Sequence, residues 1–189
     1  MLTARWQDAE RTALSQWVGN SPAANGSTQY VCTGATVAGN AFTPASPTNV
    51  TLTLTNNATL TWLWATNYAF TRLSGANGGV SGSPNGWYAP GGSATVTATP
   101  DANYHFGGWS GDVQGDTNSA VMTLAMDRPR TVTANYAIDG RTLTVNSARG
   151  GVSPGTLTAN YGSALSQWVV NSPVIDGAIN ADEWREATR

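Results

Sequence analysis

The chain has 189 residues, of which 11% are charged; its formal net charge is −2, and all nine basic residues are arginine. This balance excludes the dense positive field that nucleic-acid binding requires, and no apolar run approaches the roughly 20 residues of a membrane-spanning helix. The lack of lysine excludes a phosphate-loop lysine and a Schiff-base nucleophile, while one histidine and one cysteine cannot make the usual tetrahedral zinc set.

The start of the chain gives two conflicting signals. Residues 8–17 are rich in Ala, Glu, Arg, Leu and Gln, a composition that predicts a helix. However, residues 13–22 recur as residues 164–173 with nine matches in ten, and the second copy follows a segment that alternates like a strand and a turn. The repeat therefore predicts a strand in the second half of this stretch. The acidic N-terminus lacks the apolar core of a signal peptide, so an export signal is expected outside this chain.

A finer repeat is visible at a spacing of about 72 to 75 residues. Residues 30–36 match residues 104–110, residues 50–54 match residues 121–124, residues 57–64 match residues 129–136, and residues 78–81 recur as residues 150–153. One module type therefore occurs in alternating variants.

The clearest module carries its strongest pattern in residues 93–136. This stretch predicts three short strands of alternating apolar and hydroxylated residues, with breaks at Thr-Pro-Asp, Gly-Gly and Asp-Arg-Pro. The module is expected to begin near Tyr68 with a strand, to turn at Gly78-Gly79, to pass a second hairpin at Asn85-Gly86, and to end at Tyr136.

The repetition predicts a mainly β fold of tandem small β-rich modules, one complete and two partial. Residues 1–65 form a partial module that lacks its first hairpin, and residues 66–137 form the complete module. Residues 138–173 hold the first hairpin and strand of a further module. Residues 174–189 are a tail or the start of another domain, in which residues 182–187 can form one or two helical turns.

The two partial modules are complementary in what they lack and contain. Because unpaired strand edges recruit partners, residues 141–163 are expected to complete the sheet of residues 13–65, either within one chain or between chains.

At this point the motifs resemble a known family. They are Gly-Gly-Val-Ser at 78–81, Gly-Trp-Tyr-Ala-Pro-Gly-Gly at 86–92, the run from Val96 through Gly-Gly-Trp-Ser-Gly-Asp to Asp112, and Arg-Thr-Val-Thr-Ala-Asn-Tyr at 130–136. Residues 68–137 resemble the divergent internalin-type B-repeat, also called a bacterial repeat domain. Residues 13–65 resemble it more loosely, since Ala35 stands where the family has Trp. The resemblance implies β-grasp-like modules, no enzymatic activity, and a role as spacers or adhesive stalks in secreted or surface-anchored bacterial proteins.

A second resemblance concerns the end of the chain. Val-Ile-Asp-Gly at 174–177, followed by Glu183 and Trp184, is similar to the entry strand of a family-9-like carbohydrate-binding module. Exposed aromatic rings stack on sugars, so Trp87 and Trp184 are candidate glycan-stacking residues.

The competing interpretation is that tryptophans fill the cores of modules too small to do without large side chains. Repetition favours this for Trp17, Trp109 and Trp168. Trp62 and Trp64 point to one face of a predicted strand and are expected to be buried.

The other candidate groups are better explained by structure than by chemistry. His105 lies within a predicted strand, which favours a structural or merely exposed residue over a triad member. Cys32 stands at the equivalent of Phe106 and is expected to be a small buried residue. Four aspartates invite a calcium hypothesis, but turn formation is the favoured role: Asp101, Asp112, Asp116 and Asp127.

The sequence therefore predicts a non-enzymatic repeat or spacer segment of a bacterial cell-surface or secreted protein, with adhesion as a further role. The alternative is a carbohydrate-binding accessory region of an extracellular glycan-active protein. No catalytic residue, metal ligand or cofactor is predicted. The expected partners are neighbouring modules of the same protein and a cell-surface glycan or a host or matrix protein, and the expected location is extracellular or at the cell surface.

Overall fold

A computed structural model describes residues 13–146, 151–153, 155–166 and 168–170. Within these ranges all regular secondary structure is β-strand, which confirms the predicted mainly β fold. The strands are β1 (Ala13–Trp17), β2 (Ala23–Asn25), β3 (Thr28–Ala38), β4 (Thr43–Ser46), β5 (Asn49–Thr53), β6 (Thr59–Ser74), β7 (Gly78–Gly82), β8 (Gly86–Tyr88), β9 (Ser93–Pro100), β10 (Tyr104–Gly111), β11 (Val121–Ala125), β12 (Arg130–Ile138), β13 (Gly140–Thr144), β14 (Gly151–Ser153), β15 (Thr156–Asn160) and β16 (Trp168–Val170).

The described residues divide into two compact units. The first contains residues 13–100 and 106–136, and the second contains residues 101–105 and 137–170. The first unit includes both residues 13–65, called the front unit below, and residues 66–137 up to Tyr136, called the complete module. The described part of the chain contains no helix that is long and apolar enough to cross a membrane. The helical signals at residues 8–12 and 182–187, and the tail at 174–189, lie outside the described residues.

The complete module contributes strands to two sheets. One lies within it and has the strand order β11-β9-β7. The other has the order β10-β12-β6-β3-β2, with β8 also paired to β6, and its strands β2 and β3 come from the front unit. Strands β6 and β12 run parallel, from the pair Phe70 and Arg130 to the pair Ser74 and Ala134. Most other pairings are antiparallel, so this parallel pair is what joins the start of the module to its end.

The core of this module follows the alternation in its strands. In β9 and β11 every second residue is buried, and the residues between them are mostly exposed serines and threonines, as a strand with one buried face requires. The buried cluster consists of Phe70, Ala94, Val96, Ala98, Trp109, Met122, Leu124, Met126, Val132 and Ala134.

The front unit has fewer strands and a smaller core. It has a sheet of its own with the order β1-β5-β4. In addition, its strand β3 forms a long antiparallel pair with the first half of β6. Among its described residues, three apolar side chains are buried: Cys32, Val50 and Leu52. The strand at β1 confirms the prediction from the repeat, so the helical propensity of residues 13–17 is overridden by pairing with β5.

Strand β6 belongs to both parts of the first unit. Its first half, up to Tyr68, pairs with β3, and its second half, from Phe70, pairs with β12. It therefore crosses the predicted boundary between residues 65 and 66 without interruption. The boundary itself stays a prediction.

Three local predictions within the complete module are wrong. Residues 93–136 form four strands and not three, and the Gly-Gly pair at 107–108 lies within β10 and does not break it. The first turn lies at residues 75–77, and Gly78-Gly79 begin β7. Asn85-Gly86 do not close a hairpin, because β7 pairs with β9 whereas β8 pairs with β6. At Asn85-Gly86 the chain changes sheets, and turn chemistry alone does not reveal such a change.

In the second unit, β13 pairs antiparallel with β15, and β14 pairs antiparallel with β16. The assignment of residues 138–173 to a further module stays a prediction. The expected completion of the sheet of residues 13–65 by residues 141–163, within one chain or between chains, stays a prediction.

Candidate functional surfaces

Trp109 is a core residue of the complete module, as predicted. Its side chain is 5% exposed. The indole Nε1 donates a hydrogen bond to the Ser119 carbonyl at 2.9 Å, and the ring packs edge-on against Phe106 with 5.4 Å between centroids. Its polar atom is satisfied inside the protein, so this indole offers no free face to a ligand.

Arg130 is a buried cation that sequence reasoning missed. Its Nε donates to the Ala125 carbonyl at 2.8 Å, its Nη1 to the Asp112 carbonyl at 3.1 Å, and its Nη2 to Asp127 Oδ1 at 2.8 Å. The signal was present in the sequence, because Arg130 has the same alternation phase as Val132 and Ala134, both of which are buried. The guanidinium ties loops of the module together and is not positioned for an external anion.

The front unit exposes aromatic residues that were expected to be buried. Trp17 is 72% exposed and Trp64 is 47% exposed, while Trp62 is half-buried. The prediction for Trp17 and Trp64 is therefore wrong. The physical reason is that the front unit lacks a segment equivalent to residues 68–88, from which Phe70, Val80 and Tyr88 pack in the core of the complete module.

Of the candidate glycan-stacking residues, Trp87 lies on β8 and is 39% exposed. Its neighbour Tyr88 is partly buried and packs edge-on against Phe70 at 5.7 Å. Trp184 and the Trp168 side chain lie outside the described residues.

His105 lies at the start of β10, in the second unit, and its side chain is 57% exposed. Its Nδ1 lies 3.1 Å from Asp139 Oδ1, and Arg141 Nη2 lies 3.2 Å from the other carboxylate oxygen. In this surface group one carboxylate lies between an imidazole and a guanidinium. The carboxylate lies on Nδ1, as in a triad, but no hydroxyl or thiol of the described residues is hydrogen-bonded to Nε2, where a triad has its nucleophile.

Cys32 is buried, as predicted, and its Sγ donates to the Pro47 carbonyl at 3.2 Å. It stands among backbone groups of the front unit, away from solvent. It therefore packs as a small residue and lacks the exposure that reactive thiols show.

Three of the four aspartates of the calcium hypothesis have structural partners for their carboxylates, and Asp101 accepts the Tyr104 N–H with its backbone carbonyl at 3.1 Å. Asp116 accepts the Asn118 N–H at 2.9 Å, as in an Asx turn, and Asp112 accepts the Thr131 N–H at 2.9 Å. Asp127 pairs with Arg130. The described residues contain no group of three or more potential metal ligands.

A shallow groove of about 360 Å³ lies against β4 and β5 of the front unit. Its walls are mainly threonines, with Phe42 and Leu52 as the large apolar residues. None of the lining side chains is ionisable, so the groove has no acid, base or strong nucleophile to offer.

Comparison with known proteins gives one match, which covers the complete module. No curated protein and no solved structure matches the chain. A family model does match, and its limits coincide with the part of the chain that has a closed core. Residues 68–140 match the divergent InlB B-repeat domain, a family of repeat domains typical of bacterial surface proteins, in agreement with the resemblance carried by the sequence motifs.

Proposed function

We propose that this chain is a non-enzymatic spacer segment of a bacterial surface or secreted protein. The observation that carries the proposal is β6, a single strand of 16 residues that serves both the front unit and the complete module. Where one strand is shared, no flexible linker separates the two. Neighbouring repeat modules of the same protein are its expected partners.

The outer surface of the complete module supports this function. Thr95 and Thr123 face each other on adjacent strands and join by a 2.9 Å hydrogen bond between hydroxyls. Hydroxyl pairs of this kind keep a strand surface wetted without carrying charge. A module with a small closed core and a neutral, hydroxyl-rich exterior can hold neighbouring domains apart without a catalytic cleft.

Spin labels can test the rigid joint that a spacer requires. In a Cys32→Ala background, labels at Thr36→Cys on β3 and Thr123→Cys on β11 report the distance between front unit and complete module by pulsed electron resonance. We expect one narrow distance distribution. A matched variant with a Gly-Ser insertion between Thr66 and Asn67 should broaden it. A broad distribution before the insertion would contradict the proposal, as would hydrolase activity of the purified chain.

Glycan binding is a second candidate, favoured by the exposed indole of Trp87. Stacking of a sugar on an indole requires a free ring face at the surface. Affinity electrophoresis in polysaccharide gels should show retardation that Trp87→Ala removes and that Leu73→Ala, at an exposed position of the same module, retains. Equal mobility of all three proteins in every gel would reject this candidate.

A further inference from the structure

The first half of β6 has one edge that no described strand covers. Ala69 donates its N–H to the Ser27 carbonyl beside β3, and Gly75 donates its N–H to the Ala134 carbonyl on β12, both at 2.9 Å. The backbone N–H groups of odd-numbered residues therefore point to the edge where β3 and β12 lie. Because successive N–H groups point to opposite edges, those of even-numbered residues such as Leu60 and Trp62 point to the other edge. That edge pairs with β8 at residues 68–70. At residues 59–66 it carries no described strand.

The complete module shows what belongs on such an edge. In the repeat, residues 57–64 correspond to residues 129–136, which places the first half of β6 in the role of β12. Strand β12 has β10 on one side and the second half of β6, in parallel, on the other. The open edge of the front unit is therefore the position where a strand equivalent to the second half of β6 would pair in parallel.

An apolar surface lies open beside this edge. Leu14 and Trp64 are exposed, and Leu60 and Trp62 are half-buried. The corresponding residues of the complete module include Ala94, Val132 and Ala134, all fully buried. They are covered by Phe70 from the first strand and by Tyr88 from β8, which belong to one packed cluster. The front unit thus lacks both a strand and the large apolar residue that the strand carries.

Strand β13 has the matching properties. In the chain, β13 comes directly after β12, just as the second half of β6 comes directly after the first half. One edge of β13 pairs with β15, just as one edge of β6 pairs with β8. No described strand pairs with its other edge. Its large apolar residue, Leu143, is 40% exposed.

We propose that β13 of one copy of this chain adds in parallel to the open edge of β6 in a second copy, along residues 59–63, with Leu143 covering the apolar surface at Leu60 and Trp62. The added strand supplies main-chain hydrogen bonds, and its side chain supplies apolar burial. The two surfaces differ, so the contact is head-to-tail and builds open chains or rings. The inference concerns the strand edges and does not rest on the spacer function.

Two variants separate the two halves of the contact. Leu60→Pro removes an N–H that faces the open edge and leaves the bonds to β3 in place. Leu143→Asp places a charge on the donor strand. In sedimentation velocity across a concentration series, we expect the unmodified chain to associate and each variant alone to associate at least about tenfold more weakly.

Mixing the variants gives the sharpest result. Leu60→Pro retains a working β13 and Leu143→Asp retains a working β6 edge, so their mixture should form a one-to-one dimer that grows no further. Val121→Asp, at an exposed position of β11, should associate like the unmodified chain. Circular dichroism melts verify that each variant is folded.

Hydrogen exchange of the unmodified chain tests the same contact without substitution. The amides of Leu60 and Trp62 should become more protected as the concentration rises, while those of β9 should not change. A chain that stays monomeric, a mixture of variants that does not dimerise, or an edge whose exchange ignores concentration would each overturn the proposal.

Discussion

The front unit and the complete module use the same strand pair but bury only one of its two strands to a similar extent. In the front unit, Leu52 on β5 faces Leu14 on β1; in the complete module, Leu124 on β11 faces Ala94 on β9. Ala94 and Leu124 are fully buried, whereas Leu14 is exposed although it is the larger apolar residue. The pairing is equivalent, so the difference must come from what packs on top of it.

What packs there is the segment of residues 68–88, which contains the second half of β6, β7 and β8. Phe70 from this segment is 1% exposed, and Val80 and Tyr88 pack against the same cluster. The core of a module of this size is therefore closed by the module's first segment, and residues at equivalent positions of the repeat need not be equally buried.

The largest expected effect comes from removing the residue that closes the core. Phe70→Ala should lower the free energy of unfolding of the first unit by about 3–5 kcal/mol, because a large buried ring is lost and a cavity remains. Urea denaturation followed by circular dichroism measures it. Leu73→Ala, at an exposed position of the same strand, should cost less than about 1 kcal/mol. A loss as small for Phe70 would remove the basis of the comparison.

A smaller loss is expected at the buried cation, which has no counterpart among the buried residues described in the front unit. Arg130→Met leaves the Ala125 and Asp112 carbonyls without their side-chain donors and should cost about 2–3 kcal/mol in the same assay. Arg128→Met is the matched control, since that side chain is largely exposed. Equal effects of the two would show that the hydrogen bonds of Arg130 add no stability.

A substitution where β7 approaches β12 should lower the free energy of unfolding by a similar or smaller amount. A Cβ at Gly78 would meet the ring of Tyr136, whereas a Cβ at Gly79 meets nothing within 4 Å. Gly78→Ala is expected to cost about 1–3 kcal/mol through overpacking, and Gly79→Ala should be close to neutral. Thermal melts of the two variants decide this, and a reversed order would mean that the ring moves freely.

The smallest effect should come from the front unit. Trp64→Ala is expected to cost less than about 1 kcal/mol, because nearly half of the side chain is already in water. Measurements should use dilute protein, where chains are separate. A loss comparable to that of Phe70→Ala would mean that the front unit has a closed core after all.

Much of this fold could be predicted from the sequence, and the failures share a cause. Alternation of residue types predicted that residues 93–136 form strands, although three and not four, and it predicted the buried phase of β9. The repeat identified β1 against its helical propensity. Asn85-Gly86 failed because turn residues do not say which strands will pair. Trp17 and Trp64 failed because burial depends on a covering segment that lies elsewhere in the chain. Arg130 was missed because its charge was weighed without its position in the alternation.

The shared strand also determines how tension would pass through the first unit. A pull applied along β6 would strain in shear, together, the hydrogen bonds to β3 along its first half and those to β12 along its second half. With no slack segment between them, neither half of the strand can take up the extension for the other. Forced rupture of the front unit and of the complete module should then begin at the same element, in a single mechanical event.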